Sequence, residues 1–152
     1  PGEGAGALLV ELASAARPAS IRVLGVGVAD EPATLDNDEP QLARGLAAAA
    51  RQALSTSGYH ANDMGFRLAD LSGESFFFRE AAIVSTRLLD HPTGRMPLLH
   101  LGDCVGETGA AVGPLSLAYL AGAMPRGHTP GALGLAHFAS DGGARAALVV
   151  AA

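Results

Sequence analysis

One stretch limits the folds open to this chain: Leu98-Leu-His-Leu-Gly-Asp-Cys-Val-Gly-Glu-Thr-Gly-Ala-Ala-Val-Gly-Pro114. Leu98–Leu101 is an apolar run of strand length. Gly102 and Gly106 then permit backbone angles that a Cβ would penalise. Glu107 or Thr108 stands where a helix start presents unpaired N–H groups and a positive dipole end. Gly109, Ala110, Ala111 and Gly113 are small enough for the next helix to pack close to another backbone. Pro114 suits a first turn. Strand, glycine turn and helix in that order predict an α/β domain, and chemistry gathers at such junctions. No side chain of the junction is an obvious catalyst.

The 152 residues suffice for one domain that buries about 70% of its unfolded surface. Apolar residues make up 49% of the chain, which predicts a folded state. With five Phe, two Tyr and no Trp, the core must be Ala, Leu and Val packed around 20 glycines. Net charge is −5 and all ten basic residues are arginine, so nothing argues for a nucleic-acid partner. No apolar run reaches membrane-spanning length. Lone Cys104 excludes an internal disulfide and a multi-cysteine metal site, and fits a reducing, cytoplasmic compartment. No histidine pair has zinc spacing, so neither metal nor cofactor is expected. The chain begins at Pro1 without an initiator Met or signal peptide, as a piece of a longer protein would.

In order, Ala7–Leu12 reads as an apolar strand and Ala13–Ser20, broken by Pro18, as a connection. Ile21–Ala29 is β-branched enough for a central strand, its glycines hinting at close backbone approach. A hairpin joining these two strands is the local expectation. Asp30–Glu39 is an acidic loop. Pro40 suits the first position of a helix over Gln41–Ser57, where Leu42, Leu46, Ala50 and Leu54 share a face and Gly58 ends the run. Gly65–Leu71 is a strand, Ser72-Gly73 a turn, and Glu74–Leu89 a helix with Phe78, Ala82, Thr86 and Leu89 on one stripe, closed by His91-Pro-Thr-Gly94. After the junction a helix runs to about Gly122, and Pro125–Pro130 is a surface loop. Ala132–Phe138 and Ala144–Ala151 form a hairpin through Ser140-Asp-Gly-Gly143. These alternations predict a mixed, mostly parallel five-stranded sheet with helices on both faces, a C-terminal antiparallel hairpin and an extra N-terminal strand.

Pro1-Gly-Glu-Gly-Ala-Gly-Ala-Leu-Leu-Val-Glu11 resembles the Gly-Glu-Gly-Ala-Gly strand near the middle of β-ketoacyl synthases, enzymes of the thiolase fold built from two similar halves. The rest of the chain is similar in length and element order to their second half. The resemblance implies one domain over residues 1–152, with 1–12 belonging to the end of a missing N-terminal half. It also locates three functional turns. Leu71-Ser-Gly-Glu-Ser75 resembles the His-Gly-Thr turn, with Ser72 at the first catalytic histidine. Gly106-Glu107 resembles the Gly-His pair, with Glu107 at the second histidine. Gly102 falls at the family's lysine. Ser140-Asp-Gly-Gly143 stands in for the Gly-Phe-Gly-Gly turn, keeping Gly142 and Gly143 and placing Asp141 at the phenylalanine.

The family reaction uses an acylated cysteine, carried by the other half, and histidine donors that assist decarboxylation and hold an enolate oxygen. A serine hydroxyl at position 72 does not shuttle protons near neutral pH. An ionised Glu107 repels an enolate, and a protonated one needs a strongly raised pKa. The remaining candidates to line a site are Asp103, Cys104, Asp141, Gly142 and Gly143. Cys104 precedes a helix start, where thiolates are stabilised, but without a neighbouring base it reads as a small buried apolar residue. His100 and His137 fall in buried strands and read as hydrogen-bonded core or rim residues, whereas His60, His91 and His128 fall in loops. Phe76, Phe77 and Phe78 cannot all face one side of a helix. At least one is expected at a cavity, a partner or the missing half, and the others in the core.

The resemblance therefore implies a β-ketoacyl-synthase-like C-terminal domain that is itself non-catalytic. Its expected partners are the N-terminal half and a further copy or another synthase-like subunit. The alternative is an acyltransferase of fatty-acid or polyketide type, complete once the halves are joined. An acyl carrier protein is a further possible partner, although the acidic net charge opposes it.

Overall fold

A computed structural model of the chain describes residues 1–13, 21–89 and 96–152. Its centre is one five-stranded sheet in the order β1-β5-β4-β2-β3. The strands are β1 (Arg22–Asp30), β2 (Phe66–Ala69), β3 (Leu98–His100), β4 (Leu133–Ala139) and β5 (Ala144–Ala151). β2 pairs parallel with β3 and with β4, while β5 runs antiparallel to both β1 and β4. One reversed strand in a parallel sheet follows from the tight Ser140–Gly143 turn, closed by hydrogen bonds from Ser140 N–H to Ala144 O and from Gly143 N–H to Ser140 O.

Side-chain alternation sorts the sheet into two faces. Leu135, Ala147 and Val149 pack with helix α1 (Arg44–Ser57) and with Val84 of α2 (Ser75–Leu88). Phe66, Leu68, Ala136 and Val150 face the other way and pack with Leu120 of α4 (Val112–Ala123), which follows the short α3 (Gly102–Val105). Helices thus cover both faces, as expected. α1 turns Ala49 and Ala53 toward the sheet, which lets it lie on the bare backbone of β1: a Cβ on Gly27 would stand 1.9 Å from the Ala49 carbonyl oxygen. The glycines of β1 do mark a close approach.

Several expectations change. Ala7–Leu12 forms no strand and makes no hairpin with β1; β1 pairs with β5 instead, and Leu9, Val10 and Leu12 are more than 80% exposed. An apolar run supplies strand propensity, but no sheet edge of this chain receives it. α1 begins at Arg44 rather than near Pro40: Ala43 takes a left-handed conformation (φ 50°), and Glu31 Oε2 accepts the Gly45 N–H at 2.6 Å, fixing the start. Among the described residues Gly113 packs against no other backbone, since nothing lies within 4 Å of its Cβ position. The segment Ser14–Ser20 and the closing His91-Pro-Thr-Gly94 lie outside the described residues.

Candidate functional site

Strand order fixes where a cleft must open. From β2 the chain crosses over α2 to β3 on one side; from β3 it crosses over α4 to β4 on the other. The loops leaving the neighbouring strands β2 and β3 therefore diverge to opposite faces, and their carboxyl ends form a switch point. An open cleft of about 570 Å³ lies there, lined by Asp70, Ser72 and Glu74 after β2, by Phe77 of α2, and by Glu107, Gly109, Ala110, Val112 and Gly113 around the start of α4. Phe138, Ala139, Ser140 and Asp141 complete it from β4 and the hairpin turn.

Ser72 and Glu107, distant in sequence, meet in this cleft. The Ser72 hydroxyl stands beside the Glu107 carboxylate, and Glu107 Oε1 accepts the Gly109 N–H at 2.6 Å. These donors hold the carboxyl below its usual range, Ser72 chiefly and the Gly109 amide next. At neutral pH Glu107 is thus ionised. It repels an anion and is a poor general acid. The glycine-rich turn is also braced from outside: Gly2 N–H donates to Glu107 O at 2.7 Å, and Gly6 lies against Pro114 and Leu115.

Asp141 lines the cleft as well, whereas Asp103, Cys104, Gly142 and Gly143 do not. Gly142 faces open space, and Gly143 (φ 97°) turns its backbone toward Glu31, whose N–H donates to Gly143 O at 2.8 Å. Asp103 is on α3, 3.4 Å from His100 Nε2 and outside the lining. Cys104 sits inside α3 and is exposed, so it is neither a buried apolar residue nor a cleft group. Position 102 has no room for a lysine, because a Cβ there would lie 2.4 Å from the Leu71 carbonyl oxygen. Of the phenylalanines, Phe77 lines the cleft as expected. Phe76 packs edge-on to Phe77 at 5.3 Å, and Phe78 packs edge-on to His100 at 5.7 Å, so neither is in the core. His137 is buried on β4 with Nε2 unpartnered rather than hydrogen-bonded. Among the described residues no His, Cys, Asp and Glu cluster could hold a metal.

Asp70 is the cleft residue that sequence reasoning missed. Its Oδ2 accepts the Ala139 N–H at 2.7 Å, joining the ends of the neighbouring strands β2 and β4 in the cleft lining. Burial pushes this carboxyl up to about 6; the Ala139 amide and Arg145 oppose the shift and Glu107 adds to it. The signal for it was present: an acid ending an apolar parallel strand.

This titration has a measurable sign. Asp70 in the folded chain keeps a proton that the unfolded chain loses near 3.8, so its contribution to stability falls as pH rises to about 6. Buried His137 is held down to about 3, by burial first and Arg67 second, and so costs stability as pH falls below 6.5. The two slopes oppose one another over the same window. Each tenfold in proton affinity is worth about 1.4 kcal/mol, which puts the Asp70 cost near 3 kcal/mol, and nearer 2 after its partial exposure is allowed for. Asp70→Asn should therefore stabilise the protein by about 2 kcal/mol at pH 7.5. It should also steepen the loss between pH 6 and 4, measured by urea unfolding across pH. An unchanged profile would remove Asp70 from this role.

A mixed sheet of this order, with helices on both faces and a cleft at the carboxyl ends of β2 and β4, is similar in fold to part of several solved ketosynthases. The structure is similar to that of a ketosynthase, ApeO, in complex with its chain length factor, ApeC, from Xenorhabdus doucetiae (TM-score 0.72, 17% identity, 90% of this chain and 39% of that chain). It is also similar to AntDE:AntF, a type II acyl-carrier protein in complex with its ketosynthase bound to the hexaketide (TM-score 0.77, 13% identity, 86% and 38%). A third similar structure is a β-ketoacyl synthase from Burkholderia phymatum (TM-score 0.72, 18% identity, 85% and 36%). This chain thus spans about two fifths of the length of those proteins. No protein-family profile and no curated protein matches it. No helix among the described residues is long and apolar enough to cross a membrane.

Proposed function

We propose that this chain is the C-terminal, thiolase-like part of a β-ketoacyl-synthase-type protein, and that it supplies scaffold rather than proton chemistry to a condensing assembly. The observation that carries this reading is that Ser72 and Glu107 line one cleft, with the Glu107 carboxylate held by the Gly109 N–H. By the resemblance, those positions belong to histidines that donate to an enolate. An ionised carboxylate beside a hydroxyl does the opposite.

Two further features support a role within a larger body. α4 carries no charged residue, yet Ala118 and Tyr119 on it are exposed. Val26 and Val28 of β1 are exposed on the sheet as well. An apolar surface of this extent suits burial against another domain. We assign that domain to an N-terminal half, with residues 1–12 closing its sheet. The complete protein then pairs with a synthase-like subunit, as the ketosynthase with its chain length factor does. An acyl carrier protein accompanies one similar structure, but the net charge of −5 here weighs against docking on this chain.

The test is acyl loading and condensation with radiolabelled acyl and malonyl thioesters on the full-length protein, alone and with its partner subunit. We expect no carbon–carbon bond formation by the full-length protein alone. Turnover that survives Ser72→Ala and Glu107→Ala but is lost in Asp70→Asn would overturn the scaffold reading. It would favour the second reading, an acyltransferase in which Asp70, poised near 6, takes over the acid–base work.

A further inference from the structure

Behind the cleft wall lies a buried charge that the reading above does not use. Arg145 is the second residue of β5, and with Glu80 of α2 it is almost wholly removed from solvent, at 0% and 1% side-chain exposure. Its Nε donates to Glu80 Oε1 at 2.9 Å. Its Nη1 donates to Ser140 O at 2.7 Å and to Ala144 O at 3.1 Å, the carbonyls at either end of the hairpin turn. The guanidinium also lies over the Phe77 ring, 5.7 Å from its centroid. Two of the residues it touches belong to the cleft lining, Phe77 on one wall and Ser140 on the other.

A single fork-shaped cation is thus bonded to α2 through one nitrogen and to the turn through another. Lysine lacks that geometry, because an ammonium is a point donor. The turn is held from its other end by Glu31 N–H, which donates to Gly143 O at 2.8 Å. Glu31 itself accepts from the first turn of α1. The turn is thus held at Ser140 by Arg145 and at Gly143 by Glu31.

We propose that Arg145 is the positioning residue of this cleft, anchored by Glu80 and fixing the Ser140–Asp141 turn against the Phe77 wall so that the opening keeps one width. The inference rests on the cleft being the working site, but its test does not pass through catalysis. In the full-length protein, hydrogen–deuterium exchange over residues 139–145 is compared in three variants. Glu80→Gln keeps an acceptor for Arg145 and leaves the turn contacts, and should exchange as the parent does. Arg145→Lys keeps a charge opposite Glu80 but loses the fork, and should exchange about tenfold faster there. Glu80→Leu/Arg145→Met leaves no buried charge and no turn contact, and should also exchange about tenfold faster over 139–145 while exchange in α1 stays as in the parent. Parent-like protection of the turn in the double variant would show Arg145 to be only half of a core ion pair, and would overturn the proposal. So would loss of protection in Glu80→Gln equal to that in Arg145→Lys.

Discussion

Gly27→Ala should destabilise the protein by about 3 kcal/mol, lowering its melting temperature by roughly 6–12 °C. The added methyl would stand 1.9 Å from the Ala49 carbonyl oxygen and 2.9 Å from Ala53 N, both backbone atoms of α1. No rotamer change relieves a clash between a Cβ and a helix backbone. Either α1 lifts from the sheet or β1 bows. Lifting α1 would open the cluster in which Leu46, Ala49, Ala50 and Ala53 pack with Ala147 and Val149. Gly25 repeats the constraint, with a Cβ 2.1 Å from Ala53 O. The matched control is Gly142→Ala in the hairpin turn, where the nearest atom is Ser140 Oγ at 3.9 Å and a methyl has room. It should change stability by no more than about 0.5 kcal/mol. Equal urea midpoints for the two variants would mean that α1 does not rest on β1 in this way.

That contact explains why some of the fold was legible and some was not. A β-branched strand carrying glycines at alternate positions, followed by an alanine-rich helix, is a local pattern whose partners are near in sequence. The hairpin at Ser140–Gly143 and the helix end at Gly58 (φ 76°) are equally local. Ala7–Leu12 failed because strand propensity is only a readiness to pair. Pairing depends on an edge, and this chain's outer strand β1 gives its one partnered edge to β5. The start of α1 failed because Glu31, from the preceding loop, caps the helix with a side chain no local rule assigns. At the site, the turns bearing Ser72, Glu107 and Asp141 were readable from their glycines. Asp70 carried only the local signal of an acid at a strand end; its tie to Ala139, far along the chain, is not written in its neighbours. Cys104 was misplaced for a similar reason: the helix it was expected to precede starts at Val112, and a short turn of helix, α3, intervenes.

Glu80→Ala should be the most damaging single change near the cleft, costing about 3–5 kcal/mol. The loss does not measure the strength of the Glu80–Arg145 bond. It measures what remains: a guanidinium with 0% side-chain exposure, cut off from its carboxylate and from water. The pair itself is held at a cost. Although Arg145 lies 2.9 Å away, the Glu80 carboxyl is raised above its usual range, because burial outweighs the attraction of Arg145, and Glu31 adds repulsion. Ionising Glu80 therefore weighs against the folded state. Its contribution favours the fold most below the ordinary carboxylate pKa and is lost as pH rises through its own higher value. A pair that stabilised the fold by attraction would slope the other way. It follows that removing both charges should harm far less than removing one. Glu80→Leu/Arg145→Met should lie within about 1 kcal/mol of the parent, or above it, since leucine and methionine fill the space without unpaired polar atoms. Oε2 of Glu80 and Nη2 of Arg145 are both buried without a partner, so the double change also removes two unsatisfied groups. Urea midpoints of the parent, both single variants and the double variant close the cycle. A double variant as unstable as Glu80→Ala would mean that the pair is a net source of stability, and that the turn it holds is built into the core rather than latched onto it.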